Sequence, residues 1–132
     1  MKIVINKCFG GFSLSNRAVR RMAELSGRKC FFFKHNSKSG KYIRIDESSS
    51  ELCTFAFDIE NPTDKCYKEH YLDNRPEKRD DPILVRVVEE LGKDANGSCA
   101  SLGIVEIPDG TDYEIEDYDG MEHVAEKHQT WY

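Results

Sequence analysis

Asp119-Gly120 stands between two strand-like runs, Tyr113 to Tyr118 and Met121 to Ala125. Both central residues of a type I′ turn need φ > 0, so this pair predicts a two-residue β-hairpin. A hairpin commits that part of the chain to antiparallel pairing. Other runs fit the same scheme. Residues 2–7 read as a strand, Lys29 to Lys34 and Lys41 to Ile45 are strand-like around a loop at Asn36 through Gly40, and Leu52 to Phe57 and Cys99 to Ile107 follow. Phe31, Phe32 and Phe33 are consecutive and cannot all face one side, so at least one covers a helix or a partner.

Two helices are marked by their ends. Ser15 is the N-cap of a helix from about Asn16 to Ser26, with Leu14 and Val19 as a hydrophobic staple. Leu14, Ala18, Met22 and Leu25 form its apolar stripe, and Gly27 stops it at C′. Asp81 caps the second helix, Pro82 suits its first turn, and Ile83 to Leu91 continue until Gly92. Residues 58–81 are polar and broken by Pro62 and Pro76, with Cys66 to Leu72 a short helix or an edge strand. The expectation is one α+β domain over residues 1–132, a mostly antiparallel sheet with two principal helices packed on it.

Composition narrows the setting. Hydrophobic residues make up 39% of 132, enough for one core. No run approaches the roughly 20 apolar residues of a membrane span, and the start lacks the apolar stretch and cleavage site of a secretory signal. Cysteines at 8, 30, 53, 66 and 99 are odd in number, widely spaced and without a CxxC pair. That pattern predicts reduced thiols in a cytoplasmic protein, with neither a disulfide framework nor a zinc site. Asn96-Gly97-Ser98 is formally a glycosylation acceptor and reads as a turn.

Charge is unevenly spread. Residues 1–45 hold eleven Lys/Arg against Glu24 alone, whereas the remainder holds eight against 23 acids. Either the two parts fold together and their charges interleave, or a basic patch for a phosphate-bearing partner faces away from an acidic one.

Lys7-Cys8-Phe9-Gly10-Gly11-Phe12-Ser13-Leu14-Ser15 resembles the opening of an uncharacterised group of small phage and prophage proteins. The ending is similar too: Val105 to Asp109, Glu116 to Gly120, Val124 to His128, and Trp131. Glu89 to Gly92 and Ala95 to Gly97 also fit. The resemblance covers about half the chain. It implies a phage-encoded setting, in which small accessory proteins antagonise host antiviral defence by binding a host protein or sequestering a nucleotide signal. It assigns no residue a role.

Three constellations are candidate sites. The strand–Gly10-Gly11–helix junction, with Ser13, Ser15 and Arg17, is a possible anion site, because glycines admit close backbone approach and helix-start N–H groups attract negative charge. Its bland alternative is a tight turn with an ordinary N-cap; no Walker or dinucleotide fingerprint is present. Residues 106–126 carry nine acids and no Lys or Arg, so Glu114, Glu116 and Asp117, with Trp131 near the terminus, are candidate contacts to a basic partner. The alternatives are a solvated hairpin edge for the acids and, for Trp131, packing back on the domain or anchoring a homo-oligomer. Glu122, His123, Glu126 and His128 match no zinc motif. On a strand His123 faces away from the other three, so catalysis there needs groups from elsewhere. No motif requires a cofactor. The leading expectation is a non-enzymatic antagonist that acts by binding. The alternatives are a small nucleotide- or phosphoester-degrading enzyme using these Glu and His residues, and an oligomer-forming accessory protein.

Overall fold

A computed structural model describes residues 1–48, 54–63, 65 and 67–127. In chain order the elements are β1 (Lys2–Asn6), α1 (Asn16–Leu25), β2 (Phe31–Asn36), β3 (Lys41–Ile45), β4 (Phe55–Phe57), α2 (Tyr67–His70), α3 (Pro82–Leu91), β5 (Leu102–Glu106), β6 (Tyr113–Tyr118) and β7 (Met121–Glu126). The fold is α+β with every strand pairing antiparallel.

α1 forms where its caps place it. Ser15 Oγ accepts from the Ala18 N–H at 3.1 Å, which satisfies one of the donors left open at a helix start. At the other end Gly27 has φ +72°, and the Arg28 N–H reaches back to the Ala23 carbonyl at 2.8 Å while the Gly27 N–H bonds Glu24. That pair of bonds is a Schellman motif, which only a residue tolerant of the left-handed region closes cheaply. α3 begins with the Asp81 carboxylate accepting from the Ile83 N–H at 2.9 Å and continues past Leu91 into a 3-10 turn, Gly92–Ala95. The helices bury Ala18, Val19 and Ala23 against Leu84, Val85, Val87 and Val88, with Val4 of β1 and Phe32 of β2 in the same core.

The strands make three small sheets: β1 with β5, β3-β2-β4, and β6 with β7. The second edge of β1 is taken by groups other than a strand. The Val4 N–H donates to the Arg79 carbonyl at 2.9 Å and the Asn6 N–H to the Glu122 carboxylate at 2.9 Å, so no strand can add there. β5 starts at Leu102, later than the alternation from Cys99 suggests, because residues 97–100 turn and the Ser101 N–H bonds the Asn6 side chain.

The three phenylalanines split by parity. Phe32 enters the main core opposite Ile45 and Ala56, while Phe31 and Phe33 face the other side with Phe55 and Phe57. α2 covers that side, where Tyr67 and Tyr71 stack at 4.5 Å and Phe57 meets both rings edge-on or tilted at 5.8 and 5.7 Å. Of the short helix or edge strand expected over Cys66 to Leu72, the described residues form the helix, Tyr67–His70, followed by an isolated bridge from Tyr71 to Phe57. The hairpin turn is as its sequence predicts, with Asp119 at φ 51° and Gly120 at φ 89°. Among the described residues no helix is long and apolar enough to cross a membrane.

The charge halves interleave along the helices. Lys2 meets Glu89 at 3.2 Å, Arg17 meets Asp94 at 3.2 Å, and Arg21 meets Glu90 at 3.2 Å. Helix α1 therefore pairs its arginines with acids of the same chain at the surface.

Candidate functional site

β1 ends in Asn6, a polar residue closing the apolar run Ile3-Val4-Ile5, and it is fully buried. Burial without partners would be costly, and every polar atom of its side chain is used. Its amide nitrogen donates to the Cys8 and Gly120 carbonyls, both at 2.7 Å, and its oxygen accepts from the Ser101 N–H at 2.9 Å and the Cys8 thiol at 3.4 Å. Beside it, Arg79 grips Glu122 through two bonds of 2.6 and 3.0 Å and lies 3.7 Å from the centroid of the Phe12 ring. These groups lock the β6–β7 hairpin onto the end of β1.

The Gly10-Gly11 junction belongs to the same seam. A Cβ on Gly10 would meet the Cys99 carbonyl, and a Cβ on Gly120 would meet the backbone nitrogens of Gly10 and Gly11. The close backbone approach that glycine permits here is to the chain's own hairpin turn. Ser13 lies against Gly97, whose N–H bonds its carbonyl at 2.9 Å. Ser15 caps α1 and donates from its hydroxyl to the Asp94 carbonyl at 2.6 Å, and Arg17 pairs with the Asp94 carboxylate. Of the five residues of the expected anion site, Ser15 and Arg17 line a cleft, about 480 Å³ in volume, at the start of α1, with Asn16, Arg20, Glu47 and Ser48, while Gly10 lies against Cys99 and Ser13 against Gly97.

The outward face of the hairpin is different in kind. Strand parity and register place Glu114, Glu116 and Tyr118 of β6 on one face with Ala125, His123 and Met121 of β7. Tyr118 is 75% exposed, and its ring meets Phe9, itself 58% exposed, in an edge contact at 6.4 Å. Glu116 reaches His123 Nε2 across the strands at 2.8 Å. Asp117 points to the other side and accepts the Gly120 N–H at 2.8 Å, so its local work is to hold the turn. Of the four expected partner contacts, Glu114 and Glu116 share this outward face, Asp117 does not, and Trp131 lies outside the described residues. Phe9 was missed. Its signal was an aromatic ring isolated before two glycines, whereas Phe12 after them is buried.

Glu122 and His123 diverge, as expected of a strand. Glu122 turns inward to Arg79, His123 turns outward to Glu116, and His128 lies outside the described residues. Among the described residues no three His, Cys, Asp or Glu side chains gather as a metal site. On the inward face, burial raises the Tyr113 phenol, aided by the neighbouring Asp80 carboxylate.

The second sheet carries further polar groups. Burial pushes the Asp58 carboxyl up, but hydrogen bonds from Arg28 and His70 at about the same side chain outweigh it and hold it below its ordinary value. Lys41 and Tyr42 line an open cleft of about 570 Å³ together with Glu60, Asn61 and Lys65. Cys8, Cys30 and Cys99 are free thiols, and Cys53 and Cys66 lie outside the described residues. Comparison of the chain with family models, with curated proteins and with solved structures finds no match in any of the three.

Proposed function

We propose that the protein works by binding, docking a basic surface of a partner protein on the outward face of the β6–β7 hairpin and Phe9. One observation carries this reading: two exposed aromatic rings stand in edge contact, on a rigidly seated turn, with Glu114 and Glu116 on the same face. Aromatic rings at the centre of a contact supply most of its energy, while surrounding charges steer encounter and exclude wrong partners. The seat is preorganised, since Asn6, Arg79 and the glycine contacts fix the turn before any partner arrives. The likeness of both chain ends to small phage proteins supports a host defence protein as that partner, with the chain acting as its antagonist.

The test is capture of the partner from host extract, followed by affinity measurement with purified components. Tyr118→Ala is expected to weaken binding by about 2 kcal/mol, roughly thirtyfold. Glu114→Lys with Glu116→Lys is expected to slow association and flatten its salt dependence. A captured partner that ignores all three substitutions removes this reading.

A phosphate-bearing nucleotide at the start of α1 is a second reading. It is favoured by the cleft that Ser15 and Arg17 share with Arg20, where helix-start N–H groups and guanidinium groups suit an anion.

A further inference from the structure

We infer that the acidic aromatic face of one copy also binds the basic tip of the β2–β3 hairpin of a second copy. The inference rests on the docking reading of that face and names an occupant for it. Among the described residues the exposed large hydrophobics are Phe9, Ile43 and Tyr118. Phe9 and Tyr118 lie together, and Ile43 lies at the other patch, on β3 and 43% exposed. Ile43 sits opposite Lys34 in the ladder, Lys41 precedes it on the same strand face, and Lys38 stands in the turn between the strands.

The charges around these apolar residues are opposite. Residues 34–44 carry four Lys/Arg and no acid, whereas residues 106–126 carry nine acids and no Lys or Arg. Arg17, Arg20 and Arg21 of α1 are each matched by an acid of the same chain, whereas Lys38 and Lys41 lie at and beside the turn of the β2–β3 hairpin. Like charges forbid either patch from meeting its own copy. Glu114 and Glu116 share the face of Tyr118, and Lys38 and Lys41 stand beside Ile43, so burying both apolar centres against one another removes apolar surface from water while these charges pair at the rim.

The two hairpins also occupy different parts of the fold. β6–β7 is seated on β1 and Gly10-Gly11, while β2–β3 continues into β4 under α2. Each is held by an antiparallel ladder, which gives a contact between copies a defined geometry.

The experiment is sedimentation of the intact chain at low ionic strength over a range of concentrations. The wild type is expected to gain mass with concentration and to lose the added mass in about 0.5 M salt, where charges are screened beyond a few ångströms. Two variants divide the contact. Glu114→Lys with Glu116→Lys and Tyr118→Ala disables the acidic face, and Lys38→Glu with Lys41→Glu and Ile43→Asp disables the basic tip. Each is expected to be folded by circular dichroism and monomeric alone. Mixed in equal amounts they are expected to form a one-to-one pair, because each retains the half the other lost. A monomeric wild type, a variant that associates alone, or a mixture of folded variants that stays monomeric overturns the inference. A monomeric wild type leaves the docking reading standing, whereas a captured partner that ignores Tyr118→Ala, Glu114→Lys and Glu116→Lys alike removes that reading itself.

Discussion

Arg79 and Glu122 meet in a two-point ion pair, 2.6 and 3.0 Å, at the seam where the β6–β7 hairpin lies on β1. Their side chains are only 13% and 7% exposed, and the same Glu122 carboxylate accepts the Asn6 N–H. The pair therefore joins three segments: the loop before α3, the edge of β1 and the second strand of the hairpin.

Removing one partner leaves a buried charge uncompensated. Glu122→Ala is expected to destabilise the protein by about 3–5 kcal/mol in urea unfolding. The double variant Arg79→Met with Glu122→Leu is expected to recover most of that loss, because apolar replacement of both members removes the unpaired charge. A single-variant loss below about 0.5 kcal/mol, the range of an ordinary surface substitution, would mean that the pair does not hold the seam.

Gly10 and Gly110 separate close contact from backbone strain. Gly110 has φ +81° with open space around it, so Gly110→Ala adds only the strain of a left-handed residue, about 1–2 kcal/mol. Gly10→Ala adds, to its φ of +136°, a methyl driven into the Cys99 carbonyl. It is expected to cost more than Gly110→Ala and to perturb the amide resonances of residues 117–121 in NMR spectra. Equal losses with unchanged turn resonances would deny the close approach its role.

Cys30 is held as a thiol. Burial pushes it from an ordinary 9.0 up to about 12, with the Glu47 carboxylate adding to the shift. The thiolate is the reactive form, so alkylation near pH 8 is expected to label exposed Cys99 at least tenfold faster than Cys30 by peptide mapping. The sign for stability follows from a folded value above the unfolded one. The contribution of Cys30 is fully present below pH 9.0 and is lost as pH rises toward about 12, so Cys30→Ala flattens that alkaline loss. Equal labelling rates would contradict the burial of this thiol.

Arg17 and Asp94 are 58% and 65% exposed, and a pair so solvated contributes little. Arg17→Ala is expected to leave unfolding stability within about 0.5 kcal/mol. If the cleft at the start of α1 takes a nucleotide phosphate, the same change weakens that ligand about tenfold or more by calorimetry, since a charge-assisted bond is worth roughly 1.5–3 kcal/mol. Binding indifferent to Arg17, or no binding of cyclic and linear nucleotides, leaves the residue as an ion-pair partner of Asp94 alone.

The elements that were legible in the residues are those whose chemistry is local. Ser15, Gly27, Asp81 and Gly92 bound two helices because caps act over three to five residues. Asp119-Gly120 makes its turn because φ > 0 at two adjacent positions is a property of those two residues. The outward placement of Glu114 and Glu116 was also within reach, since a strand has a period of two.

Sequence by itself thus determined an antiparallel α+β chain with two capped helices, a closed acidic hairpin and a basic first third. Tertiary structure alone decided how those parts meet. Asn6 bonds Glu122 across 116 positions and Arg79 reaches it across 43, and these bonds seat the β6–β7 hairpin on the edge of β1. Gly10 and Gly11 lie against the hairpin turn, and Phe9 meets Tyr118 beside that contact. Periodicity and capping are governed by neighbours along the chain, whereas close approach and ion-pair partners are governed by neighbours in space, which local residue patterns do not encode.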